Sequence, residues 1–135
     1  MDRTEYNLIF YEDTRGYSET YEFIELLQDK AIQGDKTSKT LINSIFRKLD
    51  HLKRNGTRDG LPDFEFFSGR KYPLCQIRVK HPTGFFRFFI CIWNQDTYVI
   101  LNYFAKKQNK TPKSEIERAE RLMADFIERN GGKVT

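Results

Sequence analysis

LCQIRVKHPTGFFRFFICIWNQDTYVILNYF, residues 74–104, decides the fold. Three runs rich in β-branched and aromatic residues, Leu74–Lys80, Phe85–Trp93 and Tyr98–Phe104, are divided by two short connectors. Those runs predict strands. The connectors, His81-Pro82-Thr83-Gly84 and Asn94-Gln95-Asp96-Thr97, are full of turn formers and predict hairpins. The stretch therefore reads as a three-stranded antiparallel meander. With turn tips at Pro82-Thr83 and Gln95-Asp96, the register sets Arg78 opposite Arg87, and Arg87 opposite Phe104.

The flanking sequence adds helices. Upstream, Tyr6–Tyr11 predicts a short strand and Gly16 breaks it. Ser18 can cap a helix running to about Ile32, with Tyr21, Ile24, Leu27 and Ala31 on one face. After a turn at Gly34-Asp35-Lys36, a second helix buries Leu41, Ile42, Ile45, Leu49 and Leu52 and stops at Asn55-Gly56. The two helices form a hairpin against the sheet. Residues 57–72, with Gly60, Pro62 and Gly69, read as a loop holding at most a short strand at Asp63–Phe67. Downstream, Thr111 is a fair N-cap and Pro112 suits the first helical position. Ile116, Ala119, Met123, Phe126 and Ile127 line that last helix, and Asn130-Gly131-Gly132 ends it. The order is β-α-α-β-β-β-α: an α+β domain with an antiparallel sheet, occupying residues 1–135 as a single domain.

Composition narrows the class. A chain of 135 residues with 15% aromatics can bury a real core. Cys75 and Cys91 are too few for a secreted disulfide framework and read as reduced sheet residues. Two cysteines and two scattered histidines make no metal site, so none is expected. The start, Met1-Asp2-Arg3-Thr4-Glu5, shows no apolar h-region, so no signal peptide is expected, and no run is long enough to span a membrane. The expected compartment is the cytoplasm.

The net charge of +4 is unevenly spread. Residues 1–36 carry nine acids against four bases. Residues 47–87 carry ten bases against four acids, and residues 106–121 six against three. Such asymmetry suits one face that attracts polyanions, although a solvated helix surface accounts for it equally well.

Alternation in the meander puts Gln76, Arg78, Lys80, Phe85, Arg87, Phe89, Tyr98, Asn102 and Lys106 on one face. Cys75, Ile77, Val79, Phe86, Phe88, Ile90, Val99 and Leu101 fall on the other, which is apolar throughout and should pack on helices. Like charges facing each other across strands cost stability. Two opposed arginines with a lysine nearby therefore ask for an anion. Alternatively, each pairs with an acid such as Asp63 or Glu65, or the register slips by one and separates them. Aromatics interleaved with bases can stack on unpaired nucleotides, or can form a second small core.

These residues resemble a known family. Residues 31–60 look like the helical hairpin of RelE/HigB-type toxins, and 74–113 resemble their most specific part. Gln76-Ile77-Arg78-Val79 is similar to an "E-x-R" strand, with glutamine for the usual acid. Phe86-Arg87-Phe88-Phe89 resembles "y-R-v-x-y". Tyr98 to Lys107 resembles "i-v-l-L-h-x-F-x-K-K", with Asn102 where histidine is frequent. Gln108-Asn109-Lys110-Thr111-Pro112 with Glu115-Ile116-Glu117-Arg118-Ala119 is similar to "t-x-K-T-P-x-x-E-i-x-x-A". The phage-derived, HigB-like branch is the nearest in style, although the acidic N-terminal strand and helix are longer than in minimal RelE toxins.

The resemblance implies a RelE/ParE-like fold and the toxin component of a type II toxin–antitoxin system. It implies a metal-independent endoribonuclease, an mRNA interferase needing no cofactor. The implied partners are a helix-turn-helix, HigA-like antitoxin and mRNA on the 70S ribosome. Operator DNA would be met only through the antitoxin, and no membrane is involved. For catalysis it points to Arg78 and Arg87 on the phosphate, with Lys106 and Lys107 on the backbone or leaving group. Tyr98 and His81 are further acid/base candidates, although a turn histidine is more often simply exposed. Lys80, Lys110, Lys113, Lys53 and Arg54 are candidates for gripping RNA. Three readings stand beside this one: a ParE-like toxin that poisons gyrase, a non-catalytic phage accessory protein that binds RNA or protein, and a degenerate toxin that serves only as a partner module.

Overall fold

The computed structural model describes residues 5–57, 64–82, 84–106 and 111–134, without the side chain of Lys106. In chain order the elements are β1 (Asn7–Phe10), α1 (Glu19–Ile32), α2 (Lys36–Asn55), β2 (Phe64–Phe66), β3 (Leu74–His81), β4 (Gly84–Trp93), β5 (Thr97–Lys106) and α3 (Lys113–Asn130). The strands form one five-stranded sheet in the order β1-β5-β4-β3-β2. The protein is α+β, and the described residues add β2 to the predicted order.

The helices start and stop where side-chain chemistry directs. The Ser18 hydroxyl accepts from the Tyr21 amide at 3.1 Å and opens α1. Gly56, at φ 66°, closes α2, and its amide reaches the Leu52 carbonyl. At the start of α3 the expectation fails. Pro112, not Thr111, is the cap residue, because the Thr111 hydroxyl is engaged elsewhere.

The sheet is mixed rather than antiparallel. β1 runs parallel to β5, with Asn7 opposite Thr97 and Phe10 opposite Ile100. Local pattern fixes hairpin direction but says nothing about a strand paired across most of the chain. The cause is the helical hairpin: the Tyr6 amide bonds to the Lys53 carbonyl, so α2 ends beside the start of β1.

The sheet is covered on both faces. On one, Ile24, Leu27, Leu41, Ile42, Ile45 and Leu52 of α1 and α2 pack on Cys75, Ile77, Val79, Phe88, Ile90, Tyr98 and Ile100. On the other, Ile116, Ala119, Met123 and Phe126 of α3 pack on Leu74, Phe89, Cys91, Val99, Leu101 and Phe104. No described helix is long and apolar enough to cross a membrane.

The cysteines lie on opposite faces, buried and free. Burial pushes both thiols from 9.0 up to about 12. A group whose folded pKa is raised stabilises the fold below its unfolded value and loses that contribution as pH rises towards the folded one. Both thiols should therefore resist iodoacetamide in the native protein at about pH 8 and react once it is unfolded. Stability should fall as pH rises from 9.0 towards about 12 in alkaline denaturant titrations.

Candidate nucleic-acid interface

The first hairpin takes the expected register. Arg78 lies directly opposite Arg87, and His81 opposite Gly84. Arg87 also lies opposite Phe104. The two arginines therefore share the face that α3 partly covers.

The second hairpin departs from expectation. Trp93 pairs with Thr97, leaving a three-residue loop, and Asn94 and Gln95 both take positive φ, at 54° and 68°. The C-terminal segment holds this loop. The Asn94 amide donates to the Lys133 carbonyl at 2.6 Å, and the Trp93 indole donates to the Gly131 carbonyl at 2.7 Å. The register recovers through a bulge between Phe88/Tyr103 and Ile90/Ile100, where Leu101 and Asn102 together face Phe89. An extra residue in one strand exchanges faces on either side of it.

This corrects three placements. Val99 and Leu101 pack towards α3, not towards the helical hairpin. Tyr98 lies on the hairpin side, away from the arginines, in contact with the Tyr6 ring at 5.2 Å. Its hydroxyl accepts from the Thr57 amide at 3.3 Å. His81 is also turned away: it ends β3, with its ring edge-on to Phe86 at 5.4 Å.

Around the arginines the planar groups form a column. Ring centroids of Phe67 and Phe89, and of Phe89 and Phe104, are each 5.8 Å apart. The Arg87 guanidinium lies 5.5 Å from Phe104 and 5.6 Å from Phe85, and Arg78 lies 5.1 Å from Phe85. Both guanidinium groups lie over aromatic rings within cation–π distance, which helps hold the two cations on one face. Arg87 is fully buried and Arg78 only half-buried, so Arg78 is the outer cation and Arg87 the inner one. Burial lowers the Arg87 pKa, and Arg78 lowers it further, against an opposing pull from the Glu65 carboxylate. Arg78 makes no carboxylate pair among the described residues.

Gln76, which is fully buried, ties this region together. Its amide nitrogen donates to Glu65 at 2.9 Å and its oxygen accepts from the Thr111 hydroxyl at 2.8 Å. One side chain thus links β2, β3 and the lead-in to α3. Replacing it by leucine keeps most of the volume and deletes both bonds. Q76L should lower unfolding free energy by about 1–3 kcal/mol in urea titrations and speed exchange of the Thr111 amide. Asn102 is 1% exposed, and neither polar atom of its side chain has a hydrogen-bond partner among the described residues.

The remaining candidates divide. Lys80 is exposed on the arginine face opposite Phe85, with the Lys106 backbone on the other side of Phe85. Lys113 is exposed in the first turn of α3, just beyond Thr111. Lys107, Lys110 and Asp63 lie outside the described residues. Lys53 and Arg54 are not brought to the site. They end α2 beside the start of β1, at the Thr97 end of the sheet, and Arg54 pairs with Asp50 at 3.1 Å. Eight residue steps along β4, from Phe85 to Trp93, separate that end from Phe85, roughly 26 Å of strand. The sequence placed the arginines, Phe85 and Gln76 on one face but gave no sign of the Gln76 bridge, which joins residues far apart in the chain.

No group of three His, Cys, Asp or Glu residues able to hold a metal occurs among the described residues. The arrangement offers paired cations stacked on aromatics, suited to a phosphate diester flanked by bases.

No curated protein matches the chain. A family model described as phage-derived protein Gp49-like matches residues 34–124, from the start of α2 through the meander and most of α3. The match covers more than half of the chain, so the protein belongs to the Gp49-like family of phage-derived proteins.

Proposed function

We propose that this protein is the toxin of a type II toxin–antitoxin pair, with a RelE-like fold and the activity of an endoribonuclease that cuts mRNA on the ribosome. The observation that carries the reading is the pair Arg78 and Arg87 set against the Phe85 and Phe104 rings on one sheet face. Membership of a phage-derived family and the resemblance to HigB-like toxins support it.

In this reading the RNA supplies its own nucleophile. The 2′-hydroxyl attacks the adjacent phosphorus, the bond to the 5′ oxygen breaks, and that oxygen leaves with a proton. The products are a 2′,3′-cyclic phosphate and a 5′-hydroxyl. Arg78 meets the phosphate oxygens at the surface, and Arg87 adds its charge from behind in a site of low dielectric. Phe85 presents a ring edge for an adjacent base. Lys80 and the Lys106 backbone flank it, and Lys106 or Lys107 is the proposed proton carrier. Tyr98 and His81 face the helical hairpin and are given no role in this reading. A helix-turn-helix antitoxin is the proposed neutralising partner.

The test is inducible expression followed by two assays on the purified chain: mRNA cleavage in a translating extract and supercoiling by gyrase. The expected result is growth arrest, cut mRNA and normal supercoiling. Intact mRNA with blocked supercoiling would mark a gyrase poison, and no effect in either assay a binding protein without activity.

A further inference from the structure

At the opposite end of the sheet, β1 forms an edge. The Asn7 amide bonds to the Asp96 carbonyl and the Tyr11 amide to the Ile100 carbonyl. In a parallel ladder this pattern turns residues 7, 9 and 11 towards β5 and leaves the backbone groups of Leu8 and Phe10 on the outer edge. Two clefts flank that edge and share Leu8 and Ile9. One, of about 460 Å³, is walled by Tyr21 of α1 and by Phe126 and Arg129 of α3. The other, of about 500 Å³, runs past Asn7 to Lys53 and Trp93. The unpaired edge therefore lies along a groove whose walls carry apolar rings.

Natural sheets protect an open edge with lysine, proline or a bulge. Among its described residues, β1 has none of these; its sequence is Asn7-Leu8-Ile9-Phe10. The surroundings are acidic. Glu12, Glu22 and Glu25 are exposed there. Glu12 lines the first cleft, and Glu25 interacts with the Tyr21 hydroxyl at its rim. Of the described cations that line the clefts, Arg129 is held by Asp125 at 2.7 Å and Lys53 lies at the far end. The charge is opposite in sign to that of the arginine face, so one polyanion does not suit both surfaces.

We propose that the β1 edge is a docking site for an extended basic peptide of a partner protein, which adds to the sheet as a further strand. Its backbone takes the outward groups of Leu8 and Phe10. Its apolar side chains fill the clefts, and its lysines or arginines meet Glu12, Glu22 and Glu25. Main-chain bonds give affinity and the alternate side chains give selectivity. The surface is separate from the nuclease reading and stands whether or not the chain cuts RNA.

The test uses the full chain with a set of peptides of about eight residues, each alternating Lys or Arg with Val, Leu or Phe, and acidic counterparts in which Glu replaces the basic residues. The readouts are amide exchange at Leu8 and Phe10 and binding by fluorescence anisotropy. Basic peptides should protect both amides, and acidic ones should not. The E22K/E25K double variant changes only exposed helix residues, so its fold should hold while basic-peptide affinity drops about tenfold or more at low salt. Three results would overturn the proposal: no basic peptide protects Leu8 and Phe10, acidic peptides protect them equally, or protection rises with protein concentration alone, as a second copy would cause.

Discussion

Replacing Arg78 or Arg87 by alanine should lower the rate of mRNA cleavage by on the order of a hundredfold or more. The expected split between activity and stability is more telling than the loss itself. Arg87 is buried against Phe85 and Phe104 and faces a second arginine, so its charge is held at a cost in desolvation and repulsion. R87M fills the same space without the charge. It should stay folded in urea titrations while losing cleavage and toxicity. R87K keeps the charge but loses the planar fork and the stacking, and should recover only part of the rate. If R87M were strongly destabilised with activity intact, the pair would be a structural device. Arg78, the outer cation, should give the larger loss in RNA affinity, and its variant should show the shallower salt dependence.

The largest stability effect is expected at Phe88. Its ring is 1% exposed, on the face opposite the arginines, and lies 6.5 Å from Phe23 and 6.1 Å from Tyr103 between centroids. Phe23 also stacks on Tyr103 at 4.2 Å and on Phe86 at 5.3 Å. This cluster fastens α1 to the middle of the sheet. F88A removes its most deeply buried ring and should cost about 3–5 kcal/mol in urea titrations, a large share of the roughly 5–15 kcal/mol that holds an ordinary domain. A cost below about 1 kcal/mol would show that the helical hairpin does not depend on this seam.

The parts of the fold that were legible in the sequence are those set by local chemistry. Ser18 and Gly56 bound their helices as turn and cap preferences dictate. The short connector after His81 fixed the register that pairs Arg78 with Arg87, and with it the core of the candidate site. What escaped was set by distant contacts. The turn at Asn94 takes an extra residue because Lys133 and Gly131, far along the chain, hold it. That residue and the compensating bulge moved Tyr98, Val99 and Leu101 to unexpected faces. Thr111 had the composition of a helix cap, but the amide of Gln76 claimed its hydroxyl. The parallel pairing of β1 rests on the same kind of contact, since the end of α2 decides where that strand begins.

The most direct measurement is the mapping of RNA ends after the purified chain is added to a translating extract. If the arginine column holds a scissile phosphate, new ends should appear inside translated sequence, with 5′-hydroxyls on one fragment and 2′,3′-cyclic phosphates on the other. A single 2′-deoxy nucleotide at the mapped position should abolish the cut. Messages left whole, or cuts that persist at the deoxy position and leave 5′-phosphates, would contradict the account.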